Sequence, residues 1–271
     1  MVTPGVCYNG CCRSQPCMNG GTCVERCHSP LEKFTCECQN RYTGRVCEKR
    51  ITECFDIRKY ASPSYVERSK IFVLARSDNG QEISVYCSIF ANSSWTLVES
   101  FAFVNNLHYR SKAFFDEASQ TPTAPNWSHY RLSLEMMKYL RSKTTIFSAT
   151  CSFERKNNRI RPDFVLATFS EFDPMKQGTT LGSCFKALVL NIRGHEFTNQ
   201  KIPIWQQRNR YHPHIDGSSG YCGFPLVPGS VGSEDSFGYY RSGVNRASTC
   251  VNNDSATTNW WFGNSFEFMS L

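Results

Sequence analysis

The side chains best equipped for chemistry in this 271-residue chain are its 15 cysteines. Nine of them, Cys7, Cys11, Cys12, Cys17, Cys23, Cys27, Cys36, Cys38 and Cys47, lie in the first 47 residues. Thiols at that density either pair as disulfides or ligate a soft metal such as zinc, and His28 could join such a ligand set. So short a tract cannot bury enough apolar surface to hold itself together, so covalent bridges are the expected use. Disulfides persist in oxidising compartments, which points to an extracellular or lumenal chain and away from a cytosolic enzyme. Elsewhere, Tyr211-His212-Pro213-His214-Ile215-Asp216 places two imidazoles and a carboxylate at alternate positions. In an extended strand they would face one side and suit zinc. No further protein ligand is identifiable, so no metal is assigned. Gly194-His195-Glu196 sets an acid beside an imidazole without a nucleophile elbow, and is read as structural. No catalytic constellation emerges, and the chain is expected not to be an enzyme.

The net charge of +7 is spread along the sequence, which makes nucleic acid a poor candidate partner. The densest basic run is Glu154-Arg155-Lys156-Asn157-Asn158-Arg159-Ile160-Arg161. It is read as a solvated hairpin tip, with glycosaminoglycan sulfates as its alternative partner. Asn92-Ser93-Ser94, Asn126-Trp127-Ser128 and Asn253-Asp254-Ser255 have the form of N-glycosylation acceptors. No apolar run reaches the length of a membrane span. Met1 to Cys7 has neither the basic start nor the apolar run of a secretory leader, so a leader is expected outside this sequence.

The elements that would position these groups are mostly strands. Ile71 to Ala75, the turn Asp78-Asn79-Gly80 and the alternating Ile83, Val85, Cys87 and Ile89 predict a β-hairpin. Cys87 then points inward, where Cys54 could reach it. Further strands are expected over Trp95 to Phe103, Ile146 to Phe153, Phe164 to Phe169 and Phe185 to Ile192. Ser133 to Arg141 reads as a short helix with a Ser cap, an early acid and a basic end, its Met136 and Met137 filling core. Beyond Gly194 the chain is rich in Gly, Pro, Ser and Asn and reads as long loops, where binding sites tend to lie.

The spacing C-x4-C-x5-C-x12-C-x-C-x8-C from Cys12 to Cys47, with Gly20-Gly21 and Tyr42-Thr43-Gly44, resembles an EGF-like domain. The resemblance implies the pairs Cys12–Cys23, Cys17–Cys36 and Cys38–Cys47. Cys7, Cys11 and Cys27 are left over. They suggest an additional bridge to Cys27 from Cys11 or Cys7, with Cys11–Cys27 favoured, and one thiol for a partner elsewhere or on another chain, giving a disulfide-linked oligomer. Ser29 stands where calcium-binding relatives carry an acid, so a calcium-free module is expected. Ser14 and Thr22 lie at positions resembling the family's O-glucose and O-fucose acceptors, and Thr43 at its O-GlcNAc position.

Residues 54–271 resemble a divergent fibrinogen-related domain. The resemblance rests on Cys54-Phe55-Asp56-Ile57 with Ser84-Val85-Tyr86-Cys87, on Ser94-Trp95-Thr96, on Tyr130-Arg131-Leu132 with the helix and strand that follow, and on Thr258-Asn259-Trp260-Trp261-Phe262. The implied architecture is α+β and mostly β: an N-terminal segment (1–11), an EGF-like module (12–47), a linker (48–53) and a fibrinogen-like domain (54–271). The expected bridges in the larger part are Cys54–Cys87, Cys151–Cys184 and Cys222–Cys250. The family's acidic calcium run before a close cysteine pair is missing. Glu234, Asp235 and Asp254 are the remaining candidates for a cation, and no cofactor is assigned. The resemblance implies non-catalytic binding of an extracellular glycan or protein, with Asp235, Asp254, Trp260 and Trp261 as the expected ligand surface.

Overall fold

The computed structural model describes residues 9–29, 31–60, 68–120, 124–154, 162–241 and 243–265. Cys7 and the basic run from Arg155 to Arg161 lie outside them. The chain is mostly β with short helices, and divides into two compact units between Trp95 and Thr96.

In the first unit, β1 (Thr22–Glu25) and β2 (Phe34–Glu37) form an antiparallel ribbon that sets Cys23 opposite Cys36. Each of these cysteines reaches back to the preceding loop, through Cys12–Cys23 and Cys17–Cys36, so the ribbon is stapled at one level on both strands. Cys38–Cys47 closes the next loop, beside the pair β3 (Tyr42–Thr43) and β4 (Lys49–Arg50). Cys11 is a free thiol whereas Cys27 is disulfide-bonded, so the expected Cys11–Cys27 bridge is not formed. Helix α1 (Cys54–Lys59) starts where the Asp56 carboxylate accepts from the Thr52 and Glu53 amides, satisfying donors that a helix start leaves free. Cys54–Cys87 ties that helix to the hairpin of β5 (Arg68–Ala75) and β6 (Glu82–Ile89). The hairpin turn needs Gly80, whose φ is +73°.

Residues 48–53 are not a free linker. Lys49 and Arg50 are in β4, and Ile51 is fully buried with its amide bonded to the Arg41 carbonyl and its carbonyl to the Ala75 amide. The Val73 amide likewise donates to the Asn40 carbonyl, and Arg41 and Arg50 both pair with Glu82. The backbone groups that β5 would leave bare as an edge strand are thus covered by the cysteine-rich module.

The second unit is an antiparallel sheet. Its order is β14 (Asp235–Ser236), β13 (Tyr211–Asp216), β12 (His195–Gln207), β11 (Thr180–Ile192), β10 (Phe164–Thr168), β9 (Ile146–Cys151), β15 (Thr257–Ser265) and β7 (Ser93–Ala102), with β8 (His129–Arg131) on β7. The last strand among the described residues, β15, is inserted beside β9, and every one of its nine residues is buried. A strand covered on both faces reads as continuous rather than alternating. Helix α3 (Leu134–Lys143) is capped by the Ser133 hydroxyl, which accepts from the Met136 amide, and Met136 and Met137 are buried as core.

The segment beyond Gly194 is loop-rich and also holds strands that the sequence did not mark, β12, β13 and β15. Arg193 and Gly194, at φ +52° and +84°, make the tight two-residue turn that launches β12 antiparallel to β11. The expected cysteine pairing is corrected: Cys151 bonds Cys250 and Cys184 bonds Cys222. Cys151–Cys184 is excluded because β10 lies between β9 and β11. Thr150 is level with Phe164, and Phe164 with Asn191, so Cys184 is also some seven residues, or roughly 23 Å, further along. Disulfides need Cα atoms within about 7 Å.

Candidate ligand-binding surface

Trp260 and Trp261, expected at the ligand surface, are only 2% exposed. They occupy the interior strand β15, where the Trp260 indole N–H donates to the Phe237 carbonyl and the Trp261 indole N–H to the Thr150 hydroxyl. Trp260 packs against Phe114 and Phe147, and Trp261 against Phe153. Both are core aromatics with their polar atoms satisfied. Asp254 is exposed and faces Arg246 at 3.7 Å. Glu234 is buried, paired with Arg193, and accepts from the Asn245 amide nitrogen and the Val231 N–H. Its oxygens therefore close a loop rather than await a cation. Among the described residues no three His, Cys, Asp or Glu side chains converge as a metal site.

The histidine pair on β13 is divided between two tasks. His212 is completely buried and its Nε2 lies 2.5 Å from Glu99, whose other oxygen accepts from Arg131 at 2.7 Å. Burial alone would push the Glu99 carboxyl up, but the adjacent His212 and Arg131 charges hold it below the usual range. Arg131 also donates to the carbonyls of Ala113 and Asp116, so this cluster is a buried structural tie. His214 donates through Nδ1 to the His212 carbonyl, and its Nε2 is 3.4 Å from Asp235. Burial pushes the imidazole down to about 3, while burial and the neighbouring Asp216 raise the Asp235 carboxyl to about 8. At neutral pH the contact is therefore a neutral imidazole facing a protonated acid rather than an ion pair.

Around His214 the sheet gathers an aromatic surface that sequence reasoning missed. Trp205 on β12 is paired with His214 across the ladder and stacks on it at 5.9 Å and 17°. Tyr239 stacks on His214 at 4.8 Å, and Tyr211 meets both edge-on. Tyr221 stands at 81° to Trp205, 5.7 Å away, and remains 58% exposed. Trp205, Tyr211 and Tyr239 are each partly exposed, and Leu181 beside them is open to solvent.

The backbone is specialised to build this surface. The β11–β12 ladder shifts register between Leu181 and Ser183, and the β12–β13 ladder between Trp205 and Gln207. Such bulges re-aim side chains. Gly182, at φ +72°, sits at the first bulge, where a Cβ would lie 3.1 Å from Trp205 and 3.2 Å from Tyr221. Two residues on, Cys184 bonds Cys222, pinning the turn that carries Tyr221. Cys222 itself is held at φ +64°, a conformation that costs about 1–3 kcal/mol and recurs at binding sites. The sequence signal was the aromatic density in this Gly-rich stretch, at Trp205, Tyr211, Tyr221 and the Tyr239-Tyr240 pair.

Of the remaining sites, Asn92, Asn253, Ser14 and Thr22 are exposed. Asn126 is partly buried, with its amide nitrogen donating to the His129 carbonyl. Thr43 is buried, which does not suit an acceptor.

Comparison with known proteins places residues 12–46 under the EGF-like domain model. Protein eyes shut homolog from Homo sapiens is 30% identical over 93 residues, and those of Macaca fascicularis and Pongo abelii match to the same extent. The matched region is 34% of this chain and 3% of each relative. The matched residues 12–46 are EGF-like, the module's three bridges run from Cys12 to Cys47, and these disulfides fit an extracellular setting. No helix among the described residues is long and apolar enough to cross a membrane.

Proposed function

We propose that the chain is a secreted, non-catalytic recognition protein whose EGF-like module accompanies a divergent fibrinogen-like domain over residues 54–271. Its ligand is an extracellular glycan held on the Trp205–Tyr221 surface. The observation that carries this reading is the set of partly exposed rings around His214, aimed by two bulges and fixed by a disulfide. Aromatic faces stack on the C–H faces of sugars, while nearby polar groups orient the hydroxyls. Binding of the intact protein to an immobilised glycan panel tests it. Trp205→Ala and Tyr221→Ala should each abolish most of the signal without shifting the melting temperature by more than a few degrees. Absence of binding to every glycan, or full binding by both variants, overturns the reading.

A structural matrix role is the alternative, and the free, partly buried thiol of Cys11 favours it. If that thiol bridges two chains, non-reducing electrophoresis shows a dimer that Cys11→Ser abolishes. A monomeric wild type rejects this second reading.

A further inference from the structure

The aromatic surface has a charged end. Arg210 is the last residue of the β12–β13 turn, and its guanidinium lies over the Tyr211 ring, 4.9 Å from the centroid. The turn is fixed from below, because Asp116 accepts from the Arg208 guanidinium and from the Asn209 amide. That carboxylate is thereby spent on Arg208 and the backbone. The Arg110 carbonyl accepts from the His212 amide at 2.8 Å, which draws Arg110 and its near neighbour Lys112 to the same end of β13. At the opposite end, Asp216 pairs with Asp235 across the ladder, five residues or roughly 17 Å along the strand. The surface is therefore a row of rings with cations at one end and carboxyls at the other.

Resting on the glycan reading above, we propose that the ligand is an acidic saccharide, bearing carboxylate or sulfate groups, and that Arg210 anchors its anionic group while the rings of Tyr211, Tyr239 and Trp205 take the sugar. A guanidinium offers a planar fork that matches both oxyanions in bidentate fashion, and stacking on Tyr211 pre-orders it. The aromatic row supplies the affinity that a bare basic patch lacks, and the Asp216 carboxylate at the far end disfavours the reverse orientation by like-charge repulsion.

The test compares the intact protein against matched oligosaccharides: uronate-containing, sulfated, and the neutral forms made by carboxyl reduction or desulfation. The wild type should bind at least one acidic form about tenfold more tightly than its neutral match, with the preference shrinking at high salt. Whether uronate or sulfate is preferred identifies the source of the anion. Arg210→Ala should erase that preference, bringing the affinities for acidic and neutral forms together, and Arg210→Lys should restore it only in part. Trp205→Ala should lose acidic and neutral forms alike. Equal binding of acidic and neutral forms by the wild type, or an unchanged preference in Arg210→Ala, overturns the acidic-ligand proposal alone. Binding that survives Trp205→Ala overturns the glycan surface and the proposal with it.

Discussion

Removing the Cys151–Cys250 bridge gives a direct measure of what holds the larger unit together. The bridge closes a separation of 99 residues, and its chain-entropy contribution is about 4.7 kcal/mol. Cys184–Cys222 closes 38 residues, for about 3.9 kcal/mol. The native structure around Cys250 has other fastenings. The Thr249 hydroxyl accepts from the Asp163 amide at 2.7 Å, its carbonyl accepts from the Ser152 hydroxyl, and the Ser248 hydroxyl donates to the Asp163 carboxyl. Loss of the bridge in Cys151→Ala/Cys250→Ala should therefore leave the loop docked and act mainly by freeing the unfolded chain. Denaturant unfolding of the oxidised protein should show destabilisation by about 4–5 kcal/mol, with slightly less for Cys184→Ala/Cys222→Ala. Thiol titration in denaturant supplies the second readout. Either correctly paired double variant should expose no more thiols than the wild type, whereas Cys151→Ala/Cys184→Ala should expose two more. A loss below about 1 kcal/mol refutes the entropy reasoning, and extra thiols in Cys151→Ala/Cys250→Ala refute the pairing.

The Asp235 carboxyl, raised from 3.8 to about 8, makes stability fall as pH rises from about 4 to 8, because the unfolded chain releases a proton that the native state keeps. Asp235→Asn should leave stability unchanged below pH 4 and raise it above pH 8, by at most about 6 kcal/mol; parallel unfolding curves at pH 4 and 9 would contradict this. Glu99→Gln should destabilise by about 3–5 kcal/mol at neutral pH, since it leaves Arg131 and His212 buried without their carboxylate. That loss should shrink in acid, where the wild-type carboxylate with its lowered pKa is itself being protonated, and a pH-independent loss would count against the ion-pair account. Gly182→Ala should cost about 1–2 kcal/mol from its positive φ and its ring contacts; unchanged Trp fluorescence and melting temperature would show that the bulge does not set the Trp205–Tyr221 geometry. Glycopeptide mass spectrometry should find sugar at Asn92, which is exposed, and an unmodified Asn126, and the reverse pattern would reject the exposure argument.

What the sequence made legible was local. The Asp78-Asn79-Gly80 turn, the Ser133 cap and the alternation through Cys87 are properties of a few neighbouring residues, and each has its counterpart in the structure. Strands β12 and β13 were obscured because their cues are tertiary. The exposed, polar first half of β12 pairs across the Arg193-Gly194 turn with the apolar, largely buried second half of β11, and β13 buries two histidines and a proline with a single aliphatic residue, Ile215. Trp260 and Trp261 show the same limit from the other side. A Trp pair in a sequence is equally suited to stack on a sugar or to fill a core, and only the insertion of β15 beside β9 decides for the core.

The cysteine pairing and the aromatic surface turn out to be one problem. Pairing neighbours in sequence, Cys151 with Cys184 and Cys222 with Cys250, treats the larger unit as a series of short loops. Its sheet is instead closed by the C-terminal strand, so Cys250 must return to β9. That leaves Cys184 and Cys222 for each other, and their bond is what brings the Tyr221 turn against Trp205. A bond that long in sequence organises the core, and the shorter one that remains organises the surface. The position of the aromatic surface therefore follows from the order of strands in the sheet, which no spacing of cysteines encodes.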